Sequence, residues 1–311
     1  MSGTDDFVAQ ARMMFCASCG KSELDGITLT ECADCKSVRY CSDSCQQNHR
    51  PQHEVKCEEY RAAYQATVRD EILFRQPEST HLGDCPICCV PIPTDDKKSS
   101  MYTCCCKRLC NGCGWGGLAR QLQANKEQTC PFCRQTLAKT REEFKKNLMK
   151  RIAANDPVAM RQLGSAHCGE GDYESAFKYL GKAAELGDVD AHFDLSLMYM
   201  KGQGVEKDEE KETYHLEEAA IAGHPNARHN LGCYEARKGR SDRAVKHLII
   251  AANLGFDVSM KSLKEYYKAG LVSKEDFAAA LRAYQVAIAA TKSPQREAAQ
   301  KYLNETKETS L

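Results

Sequence analysis

The sequence lacks a net charge and any long apolar run, and it holds few aromatic side chains. Its 311 residues carry 43 basic and 43 acidic side chains, so nothing in the bulk charge draws the chain to nucleic acid or to an anionic membrane surface. No uninterrupted apolar run exceeds five residues, LIIAA at 248–252 among them, against the roughly 20 that a bilayer span requires. No membrane partner is expected. The opening residues MSGTDDFVAQARMMF carry two aspartates and no apolar centre of a secretory signal, which argues against an oxidising compartment. The expectation is an intracellular protein, cytoplasmic or nuclear. What the chain does hold is cysteine: 17 of its 19 cysteines fall within the first 133 residues, and only Cys168 and Cys233 follow. Reduced thiols at that density point to metal.

The first cysteine block reads C-x2-C, twelve residues, C-x2-C, five residues, C-x3-C, seven residues, H-x3-C, from Cys16 to Cys57. Seven cysteines and His53 are the ligand count of two tetrahedral zinc sites. A C-x2-C knuckle brings two thiolates to one metal from a tight turn, whereas C-x3-C and H-x3-C set ligands one helical turn apart. A 42-residue segment with few large apolar side chains buries too little surface to fold by itself, and a structural zinc contributes about 10–16 kcal/mol. Over residues 16–57, with the local signature YCSDSCQQNH, the block resembles the MYND-type zinc finger. The resemblance implies cross-braced pairing, with Cys16, Cys19, Cys41 and Cys45 on one zinc and Cys32, Cys35, His53 and Cys57 on the other. It also implies binding of short proline-containing peptides. Gln46 matches the family's glutamine after the fourth knuckle cysteine, while the following tryptophan position holds Arg50. His49 is expected on an exposed helix face rather than as a ligand.

A predicted helical linker, 58–80, precedes the second block. That block runs Cys85-x2-Cys88, a triplet Cys104-Cys105-Cys106, Cys110-x2-Cys113 and Cys130-x2-Cys133. Eight ligands again suffice for two zincs, about four in the whole chain. Two of the triplet complete the set, and alternate spacing favours Cys104 with Cys106 over two adjacent cysteines. Over residues 81–137 the block resembles a RING finger. The resemblance implies that Cys85, Cys88, Cys110 and Cys113 share one zinc and that Cys130, Cys133 and two of the triplet share the other. It further implies that Ile87, Pro131 and Arg134 contact a ubiquitin-conjugating enzyme. The histidine usual between the middle pairs is missing, and Trp115 lies closer to Cys113 than the family's tryptophan does.

The second half repeats itself. Ala159, Ala191, Ala227 and Ser259 are each followed four residues later by leucine, at intervals of 32, 36 and 32 residues. Leu180, Leu216 and Leu248 each stand three residues before an alanine pair, and glycines at 187, 223 and 255 mark helix ends. The longer interval comes from KGQGVEKDEEK, a longer loop within one helix pair. The pattern resembles Sel1-like repeats, relatives of the tetratricopeptide repeat, over 155–290, and implies a scaffold for other proteins. The last repeat, with Lys264 after its leucine, reads as a degenerate cap.

Between Arg134 and Arg151 seven bases face two acids, while Phe144, Leu148 and Ile152 recur every four residues. An amphipathic helix with a solvated basic face, 138–154, is expected there, not a nucleic-acid surface. Residues 291–311 read as a polar tail. GCGWGG at 112–117 fits a dinucleotide fingerprint in letters alone, since it overlaps a zinc ligand.

The fold class is thus mainly α: two zinc-held modules followed by a short α-solenoid. The function expected is that of a zinc-dependent adaptor between proteins, with no catalytic residue of its own. The alternatives are a RING-type ubiquitin ligase whose other modules recruit substrate, and a transcriptional co-regulator. The order of modules resembles that of proteins from diatoms and related algae.

Overall fold

The structure is a computed structural model that describes residues 14–308. The opening residues read above, up to 13, and the last three residues of the expected tail lie outside the described span. The chain forms two compact units, one ending at Leu73 and the other beginning at Phe74.

In the first unit, strands β1 (Thr30–Glu31) and β2 (Arg39–Tyr40) pair antiparallel and lead into helix α1 (Asp43–Leu73). Its core is mostly sulfur: Cys16, Cys32 and Cys35 are buried with only Leu29 and Tyr40, and Val38, Cys41, Cys45, Cys57 and Tyr60 pack around them. Of the helical linker expected at 58–80, residues 58–73 are helical as expected but continue a helix begun inside the finger, and residues 74–80 belong to the second unit. One helix starts before Cys45 and runs past Cys57 to Leu73, because His53 and Cys57 already lie on a helical face and no helix breaker follows before Pro77.

The second unit begins with a small module. Strands β3 (Ser99–Tyr102) and β4 (Lys107–Cys110) form a hairpin with Tyr102 opposite Lys107, and helix α2 (Asn111–Gln123) follows. Helix α2 carries GCGWGG, a poor helix-forming sequence at about 1 kcal/mol per glycine relative to alanine. Close packing explains it: a Cβ at Gly114 would sit 2.8 Å from the Tyr102 hydroxyl, and one at Gly117 would sit 2.9 Å from Pro131. Helix α3 (Arg141–Ile152) is the expected basic amphipathic helix, capped by Thr140, with Leu148 fully buried.

Four helix pairs then stack in order: α4 (Pro157–Glu170) with α5 (Tyr173–Glu185), α6 (Val189–Lys201) with α7 (Glu209–Ile221), α8 (Pro225–Arg237) with α9 (Ser241–Asn253), and α10 (Asp257–Lys268) with α11 (Lys274–Ala290). The residues at fixed phase are the core. Ala159, Ala191, Ala227, Ser259, Leu180, Ala183, Ala219 and Ala251 are all buried, as are Leu163, Leu195, Leu231 and Leu263. Small side chains let the helices approach, and the leucines fill the space between them. The seven residues between α6 and α7 hold the expected insertion. The second helices of the first three pairs end the same way: Gly187, Gly223 and Gly255 have φ of 85°, 86° and 82°, and the residue after each donates its N–H to the first alanine of the pair. A left-handed cap of that kind strongly favours glycine. Asp156, Asp172, Asp188 and Asp208 cap α4 to α7 with their carboxylates.

The polar tail expected at 291–311 is instead helix α12 (Pro294–Glu308). It packs on α2, with Ala299 fully buried and the Tyr302 ring 4.8 Å from Trp115. Ala298, Ala299, Tyr302 and Leu303 recur at helical spacing in α12, a short apolar stripe within an otherwise polar segment. Among the described residues, no helix is long and apolar enough to cross a membrane.

Candidate metal centres

Four groups of side chains bring their ligand atoms within 4.8 Å of one another. In the first unit these are Cys16, Cys19, Cys41 and Cys45, and separately Cys32, Cys35, His53 and Cys57. In the second unit they are Cys85, Cys88, Cys110 and Cys113, and separately Cys104, Cys105, Cys130 and Cys133. The alternation of knuckles between sites is the cross-brace.

Whether zinc fits follows from the spacing within each group. With Zn–S near 2.3 Å, tetrahedral geometry separates sulfurs by about 3.8 Å, and sulfur from an imidazole nitrogen by about 3.5 Å. Observed Sγ–Sγ distances are 3.5 Å for Cys19–Cys41 and Cys41–Cys45, 3.8 Å for Cys88–Cys110 and Cys105–Cys130, and 3.4 Å for Cys104–Cys133. His53 Nε2 lies 3.4 Å from Cys32 Sγ and 3.5 Å from Cys35 Sγ. Each donor set therefore fits one tetrahedral ion with all four positions taken by protein. That is the form of a structural site, since catalytic zinc keeps an open position.

Four of the five C-x2-C knuckles close by one device, while Cys110 and Cys113 open helix α2. The backbone N–H of the residue after the second cysteine donates to the carbonyl of the first: Gly20 to Cys16, Lys36 to Cys32, Cys89 to Cys85 and Arg134 to Cys130. All four donors take a positive φ, between 51° and 73°. Only Gly20 announces that conformation in the sequence. The turn also aims amides at sulfur. Burial pushes the Cys16 thiol up, yet the N–H groups of Cys19, Cys41 and Ser18 outweigh it and bring Cys16 down to about 6. Burial likewise opposes ionisation of Cys85, but the amides of Cys110, Cys88 and Ile87 bring it down to about 7. A thiolate is the form that binds metal.

The triplet departs from expectation. Cys104 and Cys105 face Cys130 and Cys133, while Cys106 does not join them. The preference for alternate cysteines assumes an extended chain, but the triplet lies in the hairpin turn between β3 and β4. Cys106 takes a left-handed φ of 51° there. Its side chain turns away and packs against Leu148, Ala159 and Leu163, where burial and the Asp156 carboxylate outweigh Arg151 and push its thiol up to about 11. His49 is not a ligand, as expected, but it is half-buried rather than exposed, 3.1 Å from the Tyr40 hydroxyl and stacked on His53.

The expected partner-contact residues divide between the units. Gln46 is exposed beside Arg50, Glu54 and Tyr40 in a shallow concavity next to the His53 site. Ile87, Pro131 and Arg134, far apart in sequence, line one open concavity with Gly117, Arg120, Gln121 and Gln295. Sequence reading missed the last four. Trp115 is turned to Tyr302 instead.

A fifth group, His81, Asp190 and His224, also brings its ligand atoms together. It is better described as an ion-pair network. Asp190 lies 2.7 Å from His81 Nε2 and 3.1 Å from the Arg161 guanidinium, which also reaches Asp188 at 2.9 Å. His224 Nδ1 accepts the N–H of Ala227, so the neutral ring carries its proton on Nε2, the atom a metal would need, and turns it toward Asp190. Burial opposes the Asp190 charge, but those histidines and Arg161 hold its carboxyl well below the usual carboxylate range.

Comparison with known proteins matches the finger and the repeats. Residues 16–57 match the MYND finger family, and residues 157–188, 189–224 and 225–256 each match the Sel1 repeat. A mouse protein, DAP3-binding cell death enhancer 1, is 25% identical over 196 residues, covering 50% of this chain and 38% of its own length. Among solved structures, a Sel1 repeat protein from Oxalobacter formigenes is 31% identical with a TM-score of 0.43, covering 50% of this chain and 66% of its own. The antigen c5321 of uropathogenic Escherichia coli is 22% identical with a TM-score of 0.40, covering 53% of this chain and 37% of its own. The chain spans about two fifths of the mouse relative, and it carries a MYND zinc finger and three Sel1 repeats, both protein-interaction modules.

Proposed function

We propose that this chain is a zinc-stabilised adaptor that joins protein partners through its finger, its second cysteine module and its solenoid. The observation carrying this reading is that all four cysteine clusters are closed four-ligand sites, built to hold structure rather than to activate water or substrate. Four zincs, on the ligands named above, follow from the same reading. The MYND finger and the Sel1 repeats support it, and the mouse relative's name assigns that protein a protein-binding role. Gln46 and its neighbours are the candidate peptide-contact residues of the finger. The test is capture of partners by the zinc-loaded full chain. Interactions lost on chelation, or on disruption of the repeats, support the adaptor. A chain that captures nothing specific argues against it.

A second reading has one observation in its favour. Ile87, Pro131 and Arg134 line a single concavity between two knuckles and α2, where a RING finger would receive a ubiquitin-conjugating enzyme. Such a ligase needs no nucleophile of its own. Reconstituted autoubiquitination across a panel of conjugating enzymes decides it: ubiquitin chains that vanish in Ile87→Ala make the module a ligase, and none with any enzyme leaves the adaptor.

A further inference from the structure

The side chain of Arg296, on α12, crosses to the second cysteine module. Its Nη1 donates to the carbonyl of Pro91 at 2.6 Å and to that of Thr291 at 2.8 Å. Its Nη2 donates to the carbonyl of Val90 at 2.8 Å and lies 3.5 Å from Cys88 Sγ. Pro91 and Val90 follow the Cys85–Cys88 knuckle directly, and Val90 O itself also accepts the N–H of Cys85. One guanidinium therefore holds both a sulfur and the loop that positions it. The backbone beneath is cut to fit. A Cβ at Gly112, between Cys110 and Cys113, would lie 3.0 Å from Arg296 N and Cγ, and one at Gly116 would lie 3.0 Å from the Gln295 side-chain amide. Gln295 also donates to the carbonyl of Gly112 at 3.1 Å.

Four thiolates around a divalent ion leave a net charge of −2 at the Cys85, Cys88, Cys110 and Cys113 site. A half-buried cation against one of those sulfurs offsets part of that charge, and a hydrogen-bonded thiolate is held in orientation.

We propose that Arg296 is a positioning residue for the metal at this site, and that through it zinc loading and docking of the C-terminal helix are linked. The inference rests on the zinc reading of the second module. Linkage is reciprocal: zinc favours the docked helix, and the docked helix tightens zinc binding by the same factor in affinity. Gly112 and Gly116 of GCGWGG belong to this device, since they open α2 to α12.

The test uses the full chain. Zinc is counted first, because a wild-type protein holding only the two finger ions would sink the metal reading itself, separately from the linkage. With four zincs present, transfer to a chelator is timed for wild type, Arg296→Gln and Arg296→Lys. Outer partners of metal ligands are worth about 10–100-fold in metal affinity, so Arg296→Gln is expected to release one zinc at least tenfold faster while the other three leave at their wild-type rates. Arg296→Lys, which keeps charge and loses the fork, falls between. Replacing zinc by cobalt(II) adds a readout that packing alone does not move, the sulfur-to-metal charge-transfer band, which shifts in Arg296→Gln. Tyr302→Ala loosens α12 without touching the guanidinium and should accelerate the same ion by a smaller factor. Hydrogen exchange in 294–308 should rise when that ion is removed. Unchanged release of all four zincs in Arg296→Gln, or unchanged exchange in α12 on zinc removal, overturns the proposal.

Discussion

The finger at 16–57 and the repeats at 157–256 solve the same problem of chain entropy with different chemistry. The finger buries little besides cysteine, with Leu29 and Tyr40 the only apolar residues of its core that are not sulfur ligands. The repeats bury alanine and leucine at fixed phase, pair after pair, and hold no cysteine cluster. A few strong bonds at four points stand in one region where many weak contacts stand in the other. The difference teaches where each region is vulnerable: the finger to loss of an ion, the solenoid to loss of volume.

Removing metal is the harshest way to set the two apart. Chelation should unfold the finger outright, at about 10–16 kcal/mol per structural zinc, while amide protection in 157–256 survives. Repeats that melted together with the finger would erase the distinction. The reverse experiment is Leu195→Ala, at a side chain that is 2% exposed between two repeats. It should cost about 2–5 kcal/mol, the range for a leucine truncated in a core, with the zinc count unchanged.

The cysteine triplet carries the comparison down to neighbouring residues. Cys105→Ser should remove one zinc from the second module. Cys106→Ser should remove none and instead cost about 1–3 kcal/mol, because it places a hydroxyl among Leu148, Ala159 and Leu163. Equal metal loss in the two variants would contradict the assignment.

The smallest effect expected is electrostatic. Burial pushes the Asp194 carboxyl up to about 6, against the lowering pull of Arg161. A carboxyl raised above its unfolded value binds more protons folded than unfolded, so its contribution to stability is full below about pH 4 and is lost as pH rises through about 6. Asp194→Asn should therefore stabilise the repeats by about 1–2 kcal/mol at pH 7 relative to wild type, with the gain gone near pH 4. A variant equally stable to wild type at both pH values would place that carboxyl in water.

How much of this is legible from sequence depends on how local the cause is. Ligand spacing in the finger is written within 42 residues, and the repeat phase of Leu163, Leu195 and Leu231 is written as an interval. Both are matched by family and visible in the fold. The identity of the fourth ligand at the Cys104 site depends on one left-handed residue in a turn, and Cys106 carries no mark of that conformation. Lys36, Cys89 and Arg134 close knuckles in the same conformation without being glycine, so Arg134 has a backbone role that its side-chain chemistry hides. The docking of α12 on α2 joins positions nearly two hundred residues apart, Gly112 with Gln295 and Cys88 with Arg296. Glycines selected for such an approach look in sequence like a weak nucleotide motif.

The most direct test of the central claim, that metal takes the place of a core in the first half of the chain, is the zinc count of the intact protein by native mass spectrometry. The account predicts four ions on wild type and three on Cys105→Ser. Two ions on both proteins would contradict it, leaving the second module to be held by packing alone.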